Sequence, residues 1–163
     1  MNFRLAGVDD LEALVRVRLD FFREMFPPQP PEDLKILTEA LRRYYQEHLG
    51  LDFWAVLVEN DDGRLAGAAF LCLAECPPSP NMPDGRNAEL YNVLTYPQYR
   101  GRGLAGEMIR RLIDQAIERK ISRVVLSAGE AGQPVYKKLG FTEQAGYVRM
   151  YLKLDADRPG RNA

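Results

Sequence analysis

Apolar positions recur along this chain in two periods, one helical and one of strand type. Leu11, Leu14, Val15, Phe22 and Met25 make a helical stripe. Asp9 followed by Glu12 has the form of a capping box at its start, and Pro27-Pro28 stop it. A second helix is predicted over residues 32–49, with Leu34, Leu37, Leu41, Tyr45 and His48 in register and Gly50 as its stop. Leu104, Ala105, Met108, Ile109, Leu112, Ile113, Ala116 and Ile117 mark a third helix. Strand-type runs cover residues 3–6, 53–58, 64–73, 88–95, 123–126 and 147–154, and a further strand is expected to start at Phe141. Asn60-Asp61-Asp62-Gly63 supplies hairpin-turn chemistry. Residues 75–87, rich in proline, read as a long surface loop, and residues 133–140 as a short helix with Pro134 near its start and Gly140 at its end.

The resulting order is β-α-α-β-β-β-α-β-α-β-β. It predicts one α/β domain over residues 1–154, with a mixed, mostly antiparallel central sheet flanked by helices. Residues 155–163 read as a polar tail.

Charge and composition narrow the function classes. The chain has 163 residues, 46% hydrophobic, with 22 basic and 23 acidic side chains and a net charge of −1. That balance leaves no basic footprint for nucleic acid and no polybasic membrane patch. The longest apolar run, residues 65–74, is too short to span a bilayer. The N-terminus lacks a signal-peptide apolar region, which sets the expectation of a cytoplasmic protein. Cys72, Cys76 and a lone His48 do not make a metal site, and the cysteines read as reduced thiols.

The chemistry concentrates at Gln98-Tyr99-Arg100-Gly101-Arg102-Gly103-Leu104-Ala105-Gly106, between the fourth strand and the third long helix. A glycine-rich turn at a helix N-terminus presents unpaired backbone amides and the positive end of the helix dipole, and so forms an anion cradle. Arg100 and Arg102 add charge. No Lys-Ser/Thr pair follows, so this is not a P-loop. Gly101, Gly103 and Gly106 satisfy a dinucleotide-type glycine pattern. The following strand, Arg123–Leu126, ends in Ser127-Ala128 without the expected acid, and the element order is not a repeated βαβ.

Arg100-x-x-Gly103-x-Ala105 resembles the Q/R-x-x-G-x-G/A motif of the GNAT N-acetyltransferase superfamily. Tyr96-Pro97-Gln98-Tyr99-Arg100-Gly101-Arg102-Gly103 is similar to the family's V-x-P-x-x-R-G-x-G block, with Thr95 at the Val position. Pro134-Val135-Tyr136-Lys137-Lys138-Leu139-Gly140-Phe141 looks like its L-Y-x-K-x-G-F signature. The resemblance covers roughly residues 3–154, with the N-terminal third matching by layout. It implies acetyl transfer from acetyl-CoA to an amine in a direct ternary complex, without a metal. It also implies that the strand before the cradle splays from its neighbour at a bulge. By position, Val93, Leu94 and Thr95 then meet the pantetheine arm, and Arg100, Gly101, Arg102, Gly103, Leu104, Ala105 and Gly106 the pyrophosphate. Family members often dimerise, so a homodimer falls within the expectation.

Tyr136 matches the family tyrosine near the sulfur and is assigned as general acid, because a phenol of pKa ~10 stays protonated at neutral pH. Glu89, on the strand where some members place a glutamate, is the candidate base; burial there would raise its pKa. A water relay is the alternative. By alternation Glu89 shares a face with Tyr91, Val93 and Thr95 unless a bulge shifts the parity. Tyr91 and Asn92 are expected to line the acceptor pocket. Two departures weaken the cofactor grip: Gly129 stands where many members have Asn, and Gly132 where a small residue, often Ala, precedes the tyrosine by four.

Arg18 lies on the first helix's stripe, either snorkelling off the core edge or facing a substrate carboxylate. Asp20 and Glu24 read as solvated neighbours on another face, with amine binding as the sharper option. His48 reads as a satisfied core-edge histidine. The absence of a large charge excess favours a small-molecule amine over a charged protein tail. A non-catalytic acyl-CoA-binding regulatory module is the reading from another class, and the presence of Tyr136 and Glu89 disfavours it.

Overall fold

The computed structural model describes residues 1–80 and 82–143. Five strands, β1 (Asn2–Leu5), β2 (Phe53–Glu59), β3 (Leu65–Glu75), β4 (Arg86–Thr95) and β5 (Arg123–Leu126), form one sheet in sequence order. The first four run antiparallel to their neighbours, and β5 lies parallel to β4. Helices α1 (Leu11–Met25) and α2 (Pro31–His48) join β1 to β2. Helix α3 (Leu104–Glu118) links β4 to β5, and α4 (Gln133–Lys138) follows β5. The α/β class and element order match the sequence expectation through α4. The strand expected at residues 147–154 and the tail at 155–163 lie outside the described residues. Phe141, where another strand was expected to start, is not in a strand and packs at the edge of the core.

β2 shows why the sheet is covered on both faces. Its side chains alternate between two apolar clusters: Phe53, Ala55 and Leu57 join Leu14, Val15, Val17 and Tyr45 under α1 and α2. Trp54, Val56 and Val58 join Met108, Ile109, Leu112 and Ala116 under α3. Period two on the strand and period 3.6 on the helices thus meet in two separate cores. On the α1/α2 side Tyr45, Phe53 and Phe70 form a ring cluster with centroids 5.1–6.0 Å apart. Edge and tilted packing of this kind adds to the burial energy.

Several sequence expectations shift locally. Asp10, not Asp9, organises the entry to α1: its carboxylate accepts the Gly7 amide at 2.8 Å across a 3-10 turn, Val8–Asp10. Glu12, expected to complete a capping box, instead pairs with Arg42 of α2 at 2.6 and 2.9 Å. Met25 and Ile117 close their helical stripes on the sequence but are exposed, each at or near the C-terminal end of its helix. His48 is satisfied as expected, with Nδ1 2.8 Å from Asp52 and its ring stacked on Tyr44.

Gly67 is required by close strand packing. A Cβ there would lie 2.5 Å from the Leu94 carbonyl oxygen and 3.3 Å from Met108 Cε. Gly67→Ala is therefore expected to cost about 1–3 kcal/mol by overpacking, read as a lowered denaturation midpoint.

Arg4 binds Asp10 at 2.7 and 2.8 Å and Glu59 at 2.7 Å, tying β1 to the end of β2 and to the start of α1. These hydrogen bonds from Arg4 hold the Asp10 carboxyl below its usual range. A depressed folded pKa stabilises the fold above the unfolded value, and that contribution is lost as pH falls through the folded value. Asp10→Asn is expected to remove about 1–3 kcal/mol at neutral pH and to flatten the loss of stability below about pH 4, measured by denaturant melts across that range.

Candidate functional site

The site is built on β4, where the ladder to β3 slips. Ala68 pairs with Leu94 and Phe70 with Tyr91, so Ala69 alone opposes both Asn92 and Val93. Asn92 takes a left-handed backbone, φ 50°. Asparagine tolerates that conformation better than most residues, and one extra residue in the strand is a β-bulge. The bulge reverses the alternation. Ala88, Leu90 and Val93 face the α3 core, whereas Leu94 joins the α1/α2 core and Asn92 points toward Arg18 on α1.

Glu89 therefore keeps Tyr91 as a facial neighbour, with Tyr91 Oη donating to Glu89 Oε2 at 2.6 Å. Val93, and by alternation Thr95, lie on the opposite face from the one that simple period two predicts. The ladder to β5 ends at Leu90–Leu126 while β4 continues to Thr95. From Asn92 onward the β5-facing edge has no strand partner among the described residues. Two buried polar atoms flank the bulge without a hydrogen-bond partner among these residues, Asn92 Nδ2 and Thr95 Oγ1.

The glycine cradle follows directly. After a 3-10 turn, Pro97–Tyr99, Gly101 and Gly103 both take φ 75°, and nothing lies within 4 Å of where their Cβ atoms would be. Gly103 caps α3 with no side-chain hydrogen bond. The amides of Leu104, Ala105 and Gly106 precede the first intrahelical bond, which runs from the Glu107 amide to the Gly103 carbonyl. The two arginines brace this turn. Arg100 Nε donates to the Thr95 carbonyl at 2.9 Å, and its guanidinium pairs with Glu24 at 2.6 Å. Arg102 reaches the Gln98 carbonyl at 3.4 Å and lies over the Tyr99 ring. Both arginine side chains are thus engaged within the protein, and the groups the turn leaves open are its backbone amides.

Asp20 and Glu24, read from sequence as solvated, are latches between α1 and this region. Tyr96 Oη donates to Asp20 at 2.7 Å, and Glu24 holds Arg100. Tyr96 escaped the sequence reading because a tyrosine at a strand end carries no local signal of a partner 76 residues away. The left-handed Asn92 had one available signal, the tolerance of asparagine for positive φ.

Tyr136 lies on α4, packs against the α3-side core and meets Phe141 edge to face at 6.0 Å. Burial pushes its phenol above the ordinary value. Gly132 permits this placement, since a Cβ there would lie 2.8 Å from Tyr136 Cε2. At Gly129 nothing lies within 4 Å of the missing Cβ, and its carbonyl accepts the Gly132 and Gln133 amides.

The opposite face of β4 carries the other predicted residues. Arg18 is half-buried, 3.4 Å from Asn92 Oδ1, with its guanidinium 4.2 Å from the Phe22 ring centroid. Cys72, paired in register with Glu89, lies on this face and accepts a hydrogen bond from Tyr44 at 3.7 Å. Glu89, Tyr91, Asn92 and Arg18 thus share the α1/α2 side, while Tyr136 lies on the α3 side of the same strand. No group of three or more potential metal ligands occurs among the described residues.

The profile of the acetyltransferase (GNAT) family matches residues 11–141, spanning the bulged strand, the cradle and α4. The chain belongs to the GNAT acetyltransferase family. A predicted acetyltransferase from Clostridium acetobutylicum, whose crystal structure is with acetyl-CoA, superposes with a TM-score of 0.80 at 28% identity, over 92% of this chain and 95% of that one. A GCN5-related N-acetyltransferase from Ralstonia eutropha JMP134 superposes with a TM-score of 0.76 at 26% identity, over 92% and 97% of the two chains. In sequence, a glucosamine 6-phosphate N-acetyltransferase from Trypanosoma brucei brucei is 29% identical over 99 residues, 60% of this chain and 64% of that protein. Glucosamine 6-phosphate N-acetyltransferase 1 from Oryza sativa subsp. japonica is 28% identical over 133 residues, 77% of this chain and 73% of that protein.

Within this GNAT fold, Gly132 decides where the Tyr136 ring lies. Gly132→Ala is expected to displace the ring from Phe141 and to cost about 1 kcal/mol by local crowding. Weakened Tyr136–Phe141 ring contacts in nuclear Overhauser spectra, with a lowered melting temperature, would register it.

Proposed function

We propose that the protein is an N-acetyltransferase that moves the acetyl group of acetyl-CoA directly to a primary amine of a small molecule. The observation that carries this reading is the continuity of two features on one strand. The edge of β4 from Asn92 to Thr95, without a strand partner among the described residues, runs straight into a glycine turn whose helix amides are open among those residues. An extended pantetheine chain needs backbone partners of this kind, and a pyrophosphate needs a helix N-terminus that a backbone can approach closely. The residues present fit the group: Val93, Leu94 and Thr95 for the pantetheine, and residues 101–106 for the pyrophosphate, with Arg100 and Arg102 stiffening the turn. Bound there, acetyl-CoA supplies an acyl group activated as a thioester.

The protein's own part is positioning and proton management. An ammonium is no nucleophile, so the acceptor must lose a proton. Glu89, on the acceptor side and held by Tyr91, is the group to take it. Tyr136, whose phenol stays protonated because of its burial, is placed to hold a proton for the leaving thiolate from the α3 side. The one cysteine on the acceptor face, Cys72, has its thiol pushed up to about 11 by burial. It is therefore a poor nucleophile, which favours direct transfer over an acyl-cysteine. The relatives named for glucosamine 6-phosphate support a small-molecule acceptor.

The test is release of free thiol from acetyl-CoA across a panel of amines, glucosamine 6-phosphate included. Acceptor-dependent release is expected, with Tyr136→Phe and Glu89→Gln each lowering kcat about 100-fold or more. Acetyl-CoA binding without release by any amine would replace the enzyme with a binding module.

A further inference from the structure

Arg18 is a half-buried cation with no anion beside it among the described residues. Every N–H of a guanidinium is a donor, and a charge withdrawn from water is normally paired. Among the described residues no carboxylate lies within ion-pair distance of Arg18, and its one hydrogen bond is a long one, 3.4 Å to Asn92 Oδ1. The charge rests instead on ring faces, with the Phe22 centroid at 4.2 Å and Phe21 at 5.8 Å. Asp20, two residues along α1, is already committed to Tyr96 and Arg23.

Asn92 supplies the second observation. It is 3% exposed, and its Nδ2 has no partner among the described residues. A left-handed backbone at the bulge holds it in place. A residue with a Cβ adopts such a conformation only where its surroundings impose it, so the protein holds an unsatisfied donor at an irregular point of the strand, where Arg18 arrives. Both groups have donor capacity to spare, and a donor pair of this kind is matched by an oxyanion.

We propose that Arg18 and Asn92 form an oxyanion subsite, and that the acceptor is an amine which also carries a carboxylate or phosphate. This rests on the acetyl-transfer reading and specifies its substrate class. The geometry orders the acceptor: its acidic group lies between α1 and the bulge. Its amine then lies toward Glu89, which sits with Tyr91 on the same face of β4. Tyr44 and Cys72 are hydrogen-bonded to each other on that side, with Cys72 opposite Glu89 in the strand register.

The experiment uses amines paired by the presence of the acidic group: phenylalanine with phenethylamine, and O-phosphoethanolamine with ethanolamine. Binding of each is measured by calorimetry to the full chain in the presence of coenzyme A, and turnover by thiol release from acetyl-CoA. The acidic member of at least one pair is expected to bind about 10–100-fold tighter than its partner. The pair that shows the preference separates carboxylate from phosphate. Arg18→Met is expected to erase the preference and Arg18→Lys to keep part of it, with circular dichroism showing both variants folded. Equal binding within both pairs, no binding by any of the four, or a preference that survives Arg18→Met would each overturn the subsite. Preferential binding of an acid-bearing amine that gives no thiol release would leave the subsite standing and overturn acetyl transfer.

Discussion

The structure depends on a sheet buried on both faces. β2 and β3 place alternate side chains into two separate apolar clusters, one under α3 and one under α1 and α2. In such a strand no face is left over, so any change of register exchanges two buried sets at once. β3 alternates from Ala68 to Leu73, after its own irregularity against β2 at Ala66 and Gly67, and in the β3–β4 ladder the slip falls at Asn92 and Val93 of β4. The slip in β4 is what gives the site its two sides. Residues before the slip present Glu89 and Tyr91 to the α1/α2 side. Residues after it turn Val93 toward α3, beside the region where Tyr136 packs.

The same slip accounts for the open edge. β5 follows β4 for four paired residues and stops at Leu126, before the bulge. A bulged strand twists and bends more than a regular one, so β4 turns away from the line of β5 at the extra residue. The gap leads into the cradle, where glycines at φ 75° bring the chain round into α3. Arg100 then binds the Thr95 carbonyl and Glu24, so one side chain joins the end of β4, the turn and α1. Exposed pairs of this sort contribute little to stability, about 0–1 kcal/mol. Their effect here is to fix the cradle relative to the acceptor side.

The acceptor side differs in character from the cofactor side. In the proposed reading the cradle works through backbone amides at the start of α3. The face under α1 and α2 relies on particular side chains, a half-buried Arg18 and a left-handed, incompletely satisfied Asn92. Buried donors without partners are uncommon in folded proteins, and each calls for an explanation; Trp54 Nε1 and Arg86 Nε are others among the described residues. The proposed division of labour follows: a general cofactor grip on one side of β4, and a specific acceptor grip on the other.

Much of this was legible in the sequence for a physical reason. Helix and strand periods, hairpin chemistry at residues 60–63, and glycines before an apolar helical run are local signals. They determined the α/β class, the element order through α4, the cradle and the family resemblance. Tertiary structure alone decided which partners the long polar side chains take. Arg100 bends back onto Thr95 and Glu24, Asp20 receives Tyr96, and Asp10 rather than Asp9 anchors the start of α1 through Arg4. It also decided the facing of Val93 and Thr95, because a bulge is set by how two strands pair and leaves no period of its own in either one. Sequence periodicity reports what a segment buries. The direction of a side chain beyond an irregular residue is settled only when its neighbours, tens of residues distant, pack against it.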